Sequence, residues 1–197
     1  MATSAARRIV LASTSKYRKL LLERFGLAFE TASPETDETA LPDESPTATA
    51  ERLALAKARA VRSRFPDALI IGSDQVAHLD GQVFGKPGTT DAAIGQLTRM
   101  SGRTVVFDTA LCLLDAASGE YCVETVPTRV RFRELVDDEI RRYVDIERPL
   151  DCAGSAKSEG LGITLLEALS GDDPTALVGL PLIALARMLR ASGVCLP

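Results

Sequence analysis

Runs and alternations of apolar residues divide the chain into short buried strands and amphipathic helices. Residues 8 to 12, Arg-Ile-Val-Leu-Ala, form an apolar run that predicts a buried strand. Ser13, Thr14 and Ser15 follow as a hydroxyl-rich turn able to cap a helix. Leu20, Leu21 and Phe25 give that helix an apolar stripe, and Gly26 is placed to end it. Phe29 to Ala32 predicts a second short strand. From Ser33 to Pro46 acidic residues, Thr and Pro predominate, which predicts a long loop of the kind that often carries function. Ser45 and Pro46 supply an N-cap and a first-turn proline for a helix reaching about Phe65.

Ala68 to Gly72 is the clearest buried strand, ending in Ser73, Asp74 and Gln75. Asp80-Gly81 signals a hairpin, Thr89 to Met100 a helix ended near Gly102, and Thr104 to Leu114 a strand. Ser118-Gly119 turns the chain into another strand, Tyr121 to Phe132. The order closes with a helix from about Val136 to Glu147, a Gly/Ser-rich stretch from Cys152 to Gly162, a short strand near Ile163 to Leu166 and a helix from about Pro181 to Ser192. Strands interleaved with helices, without repeats or low-complexity tracts, predict one α/β domain over residues 1–197.

Composition narrows the class. The 197 residues are 46% hydrophobic and 25% charged, as in ordinary globular proteins, which excludes a wholly disordered chain. With 23 basic against 27 acidic residues the net charge is −4, so no global cationic field exists to hold nucleic acid. An anionic ligand must be attracted locally. The longest apolar runs, such as Val105 to Leu114 with Asp108 inside it, are too short to cross a bilayer. The apolar stretch after Arg7 and Arg8 is too short for a secretory leader, so a cytosolic protein is expected. Cys112, Cys122, Cys152 and Cys195 form no C-x-x-C pair and are expected to be reduced. The single histidine, His78, excludes a His-rich metal site and is expected to have a surface or packing role. Neither G-x-S-x-G nor a P-loop or dinucleotide-binding glycine motif occurs.

Phosphate-rich ligands need N–H groups, hydroxyls and cations converging at a helix start. Ser13-Thr-Ser-Lys-Tyr-Arg18 offers all three, although capping alone also accounts for its hydroxyls. Lys57 on the second helix and Lys86 in Phe84-Gly-Lys-Pro87 add cations flanking the strand that leads to Asp74; either one alone reads first as a solvated surface charge. Asp74, read at the C-terminal end of a buried strand, stands where open α/β sheets place ligands; the alternative is a turn aspartate. Glu35, Asp37 and Glu38 in the acidic loop are candidates for a second hard oxygen ligand.

Seven ordered motifs place these pieces together. They are Leu11-Ala-Ser-Thr-Ser15 with Arg18, Asp37-Glu38-Thr39, Ala56-Lys57-Ala58, Ile70-Ile-Gly-Ser-Asp-Gln-Val76 with Gly85-Lys-Pro87, Ser101-Gly-Arg103, Cys152-Ala-Gly-Ser155 with Lys157-Ser-Glu-Gly160 and Gly162-Ile-Thr164, and Leu177-Val-Gly-Leu-Pro-Leu182. From about Ile9 to Ala191 the chain resembles the Maf nucleoside triphosphate pyrophosphatases, and within them the YceF subgroup, which acts on 7-methyl-GTP.

That resemblance implies an elongated mixed sheet flanked by helices, two lobes around a central cleft, and a possible homodimer. It implies Asp74 as proton acceptor, with Asp74 and Glu38 holding a divalent cation, Mg²⁺ or Mn²⁺. Ser13, Arg18, Lys57 and Lys86 are implied to hold the triphosphate, and Tyr17, Gln75 and Glu159 to set the base preference. Tyr17 stands where the subgroup has tryptophan, Lys16 where proline is common, and Asp108-Thr-Ala110 where Tyr-Thr-Gly is usual; the last reads as a local packing variation. Within this family the rival is a dTTP/UTP pyrophosphatase; outside enzymes it is a regulator of cell division.

Overall fold

The structure is a computed structural model that describes residues 7–197. Its centre is β3 (Leu69–Leu79), which pairs antiparallel with β5 (Thr104–Asp115) over most of its length. The other edge of β3 has two separate partners. β1 (Ile9–Leu11) runs parallel to Leu69–Ile71, and β4 (Gln82–Phe84) pairs antiparallel with Ala77–Leu79. The β3–β4 hairpin turns through Asp80 and Gly81, at φ 50° and 82°, as the Asp-Gly pair predicts.

β2 (Glu30–Thr31) lies outside β1, while β6 (Tyr121–Phe132) and β7 (Leu166–Ser170) extend the sheet beyond β5. Among the described residues the result is a mixed sheet of seven strands. The helices are α1 (Lys16–Glu23), α2 (Pro46–Val61), α3 (Thr90–Met100), α4 (Asp137–Glu147) and α5 (Leu182–Ala191). The long segment between β2 and α2 contains no helix or strand, as its composition predicts.

Two expectations are corrected. Asp74 is not at a strand tip: β3 continues to Leu79, because β5 supplies hydrogen-bonding partners past Gly72, where the apolar run stops. The strand expected near Ile163 to Leu166 starts later. Leu161–Leu165 form 3-10 turns and β7 begins at Leu166, because Gly162 packs on the Lys157 backbone in a tight loop that a Cβ would disrupt.

Side-chain alternation sorts the sheet into two faces. On one, Val10, Ile70, Val76, Ala110 and Cys112 pack against Ala50, Ala54 and Ala58 of α2. Alanines and the bare Gly72 allow this helix to lie close: a Cβ on Gly72 would overlap the Ala54 carbonyl oxygen. The opposite face carries two cores. Ile71, Leu111 and Leu113 pack with α1 and α5, whereas Ala77, Phe107, Val130 and Phe132 pack with α3 and α4. Ser73, Gln75 and Thr109 form a polar band between these cores.

Candidate active site

The site forms where the sheet edge opens. After Leu11 the chain leaves β3, its last sheet-like bond being Ala12 N–H to the Ile71 carbonyl. β4 restores an edge partner only at Ala77, so the segment of β3 around Asp74 faces an opening on that side. The departing chain makes the hydroxyl turn. Ser13 Oγ accepts from Ser15 N–H at 3.1 Å, and Ser15 Oγ caps α1 by accepting from Arg18 N–H at 3.4 Å.

Asp74 points to the α2 face, where Lys57 comes down from the helix. Lys57 is only 5% exposed, and its Nζ lies 2.6 Å from Asp74 Oδ1 and 2.5 Å from Glu38 Oε1. A buried ammonium held by two carboxylates is compensated, as a buried charge must be. Glu38 Oε2 also lies 3.3 Å from Lys86 Nζ. Partial burial pushes the Glu38 carboxyl up, but hydrogen bonds and charge from Lys57 and Lys86 outweigh this and hold it below its ordinary value.

Arg18 Nε donates to the Gly179 carbonyl at 2.8 Å. Burial pushes its guanidinium down from the usual value, while the charges of Asp74 and Glu38 oppose that shift. Arg18 therefore sits in their field. Gly179 has φ 109°, and a Cβ there would stand 3.3 Å from Arg18 Nε, so a side chain would meet both backbone strain and the guanidinium.

Gln75 points to the opposite sheet face from Asp74. Its Nε2 donates to Thr109 Oγ1 at 2.9 Å and to the Ala176 and Leu177 carbonyls at 3.1 and 2.9 Å. The side chain thereby pins the 176–179 loop against the polar band. Tyr17 is half-buried, with Lys16 Nζ 5.0 Å from its ring centroid, and Glu159 is exposed. All nine residues expected from the sequence, Ser13, Tyr17, Arg18, Glu38, Lys57, Asp74, Gln75, Lys86 and Glu159, line one cleft of about 800 Å³. Glu35 and Asp37 are not among its lining residues.

Other lining residues were not expected to contribute. Leu177, Val178 and Gly179 form one wall, and Asp151 and Cys152 another. The motifs that hold Leu177, Val178, Gly179 and Cys152 were visible, but the apolar and glycine positions announce no chemistry, and Asp151 lies in none of the motifs. Burial pushes the Cys152 thiol up to about 12, which disfavours its thiolate at neutral pH. Asp151 pairs with Lys157 at 3.0 Å, bracing the same loop. Asp108, read as a packing variation, is a polar tie: its Oδ2 accepts from Thr47 Oγ1 at 2.7 Å and lies 3.3 Å from His78 Nε2.

No cluster of three or more His, Cys, Asp or Glu side chains suited to a metal ion occurs among the described residues. Asp74 and Glu38 do converge on one cationic position, now the Lys57 ammonium. Two hard carboxylates fit a Mg²⁺-type cation whose remaining ligands are water and substrate phosphate.

A cleft with two converging carboxylates, several cations and a hydroxyl turn defines a polyphosphate-handling α/β protein. The chain belongs to the Maf-like protein family, whose pattern matches residues 8–192. Three similar proteins are each named 7-methyl-GTP pyrophosphatase. The one from Aromatoleum aromaticum is 71% identical over 190 residues, covering 96% of this chain and 98% of its own. That from Polaromonas sp. is 57% identical over 194 residues, covering 98% and 89%. That from Burkholderia thailandensis is 60% identical over 193 residues, covering 96% and 90%.

Proposed function

We propose that this protein hydrolyses 7-methyl-GTP between its α and β phosphates, giving 7-methyl-GMP and diphosphate. The observation that carries the chemistry is the contact of Asp74 with Lys57, inside a cleft that Arg18, Glu38 and Lys86 also line. The names of the similar proteins support the choice of base.

Asp74 accepts a proton from the attacking water. The water oxygen bonds to phosphorus as the bond to the α–β bridging oxygen breaks, and diphosphate departs with that electron pair. Positive groups must face the phosphates because charge spreads onto their oxygens as the bond breaks. Arg18, Lys57 and Lys86 provide them, and the Ser13 hydroxyl adds a donor. Incoming phosphate draws Lys57 and Lys86 from their carboxylate partners, which frees Asp74 and Glu38. Asp74 and Glu38 would hold a divalent cation, which would further neutralise phosphate charge.

Methylation at position 7 makes guanine cationic. The Tyr17 ring then stacks on the base with a cation–π contribution, and the Glu159 carboxylate accepts from the guanine N–H edge. The deciding experiment measures diphosphate release from 7-methyl-GTP, GTP, dTTP and UTP with Mg²⁺ or Mn²⁺. The expected result is the highest kcat/KM for 7-methyl-GTP; equal or faster turnover of dTTP overturns the assignment.

A further inference from the structure

Glu38 stands on the segment between β2 and α2, which has no helix or strand of its own. Its ion partners, Lys57 and Lys86, are the groups that incoming phosphate draws away. They therefore cannot keep its carboxylate in place once substrate is bound. Another contact must hold the backbone there.

That contact lies one residue further along. Arg52 of α2 donates from Nη2 to the Thr39 carbonyl at 3.1 Å. The guanidinium is fixed in turn by Glu44, near the far end of the segment, through Nε to Oε1 at 2.6 Å and Nη2 to Oε2 at 2.7 Å. Two parallel bonds match the planar fork of arginine to a carboxylate, a fit that lysine cannot copy. Glu44 Oε2 also accepts from Leu41 N–H at 3.1 Å and from Thr49 Oγ1 at 2.9 Å. The Glu44 side chain is only 9% exposed, and its bonds, above all those from Arg52, hold the carboxyl down to about 2. It stays charged, and so does the grip on the loop.

One helix thus holds two adjacent loop residues: Arg52 takes the Thr39 backbone and Lys57 takes the Glu38 side chain. Arg52 does not line the cleft, although Thr49, Leu53 and Lys57 of the same helix do. It works from behind the loop and not on the substrate.

We propose that Arg52 and Glu44 form a clasp that positions Glu38 for the divalent cation, keeping its carboxylate beside Asp74 when Lys57 and Lys86 turn to the phosphates. The inference rests on the reading of the cleft as a metal-assisted 7-methyl-GTP site. Both are positioning residues, acting through the backbone of Thr39 and Leu41. The positive charge of Arg52 also lies in the field of Asp74, so the test must separate the fork from the charge.

The test has two readouts in the wild type, Arg52→Lys, Arg52→Gln, Glu44→Gln, Glu38→Gln and the Arg52→Gln/Glu38→Gln double variant. One is the Mg²⁺ dependence of 7-methyl-GTP hydrolysis; the other is amide hydrogen exchange of residues 37–41 in the nucleotide-free protein, read by mass spectrometry. Arg52→Lys and Arg52→Gln are each expected to raise the half-saturating Mg²⁺ concentration about tenfold, with kcat at saturating Mg²⁺ within about threefold of the wild type. Exchange over 37–41 should accelerate in both while β3 and β5 keep their protection. In the double variant the half-saturating concentration should exceed that of Glu38→Gln by less than about twofold, because nothing is left to position.

A wild-type Mg²⁺ dependence in Arg52→Lys overturns the clasp and leaves only the charge of Arg52. Full multiplication of the two single effects in the double variant overturns action through Glu38. If Arg52→Gln does not fold, Glu44→Gln carries the test, since it keeps Arg52 and removes only the charge that fixes its fork; an unchanged Mg²⁺ dependence there overturns the proposal. Unaltered exchange over 37–41 with hydrolysis intact overturns this inference alone. A wild-type protein that does not cleave 7-methyl-GTP overturns the functional reading and, with it, the purpose given to the clasp.

Discussion

Lys57 reaches Asp74 at 2.6 Å because the helix that carries it rests on Gly72, two residues earlier in the same strand. The contact joins a packing feature to a chemical one. Alanines on α2 and the missing side chain at Gly72 set the helix–sheet distance, and that distance sets where the ammonium stands relative to the carboxylate.

Gly72→Ala is expected to push α2 outward and cost about 1–3 kcal/mol by overpacking. For a chain of this size each kcal/mol appears as roughly 2–4 °C in Tm. Activity should fall as well, since Lys57 moves with the helix. Gly95→Ala is the control: it lies within α3 with no atom near the added Cβ, so it should stabilise by roughly 0.5–1 kcal/mol. Thermal melts and steady-state kinetics of the two variants check both statements.

Asp74→Asn keeps the side chain's shape and removes the proton acceptor. Lys57 retains Glu38 as a charged partner, so folding should persist. Turnover is expected to drop at least ~100-fold, with an unaltered far-ultraviolet circular dichroism spectrum. Wild-type turnover by this variant would remove Asp74 from the reaction.

Hydrolysis should cease when divalent cations are chelated and return on adding Mg²⁺ or Mn²⁺. Glu38→Gln, which deletes a candidate ligand charge, should raise the metal concentration needed for half-maximal rate. Titration of metal against diphosphate release reads this directly; metal-independent turnover would exclude the proposed cation.

The same residue carries a pH signature. The Glu38 carboxyl is held below its ordinary value in the folded protein, so its pairing stabilises the fold above the unfolded carboxylate range. That contribution is lost as pH falls through the folded value. With the side chain 45% exposed, solvent screening limits it to about 1 kcal/mol at most. Wild-type and Glu38→Gln melting temperatures should differ most near neutral pH and converge in acid.

Tyr17→Ala is expected to reduce the preference for 7-methyl-GTP over GTP by roughly tenfold, the equivalent of ~1–2 kcal/mol of cation–π stacking. The ratio of kcat/KM values for the two nucleotides is the measurement. An unchanged ratio would show that the ring does not touch the base.

Local signals in the chain were sufficient for most elements. Ser45-Pro46 opens α2, Asp80-Gly81 turns the β3–β4 hairpin, and the apolar run after Arg8 becomes β1. Each depends on neighbours within a few positions, through capping, turn conformation or burial periodicity. The family resemblance likewise named nine of the residues that line the cleft.

Tertiary structure decided what those residues face. Gly72 to Gln75 reads as the end of a strand because its apolar run stops there, yet pairing with β5 carries the strand onward and puts Asp74 mid-strand. The opening beside it exists because β1 ends at Leu11 and β4 begins pairing only at Ala77, a vacancy on one sheet edge that no local pattern encodes. Alternation along β3 then sends Asp74 to Lys57 and Gln75 to the 176–177 carbonyls on the other face. Thr128, an ordinary strand residue by sequence, becomes a buried hydroxyl without a partner only when β6 and the segment at Gly171 are brought together. Short-range chemistry thus determined which elements form, whereas register and edge pairing determined which side chains share a space.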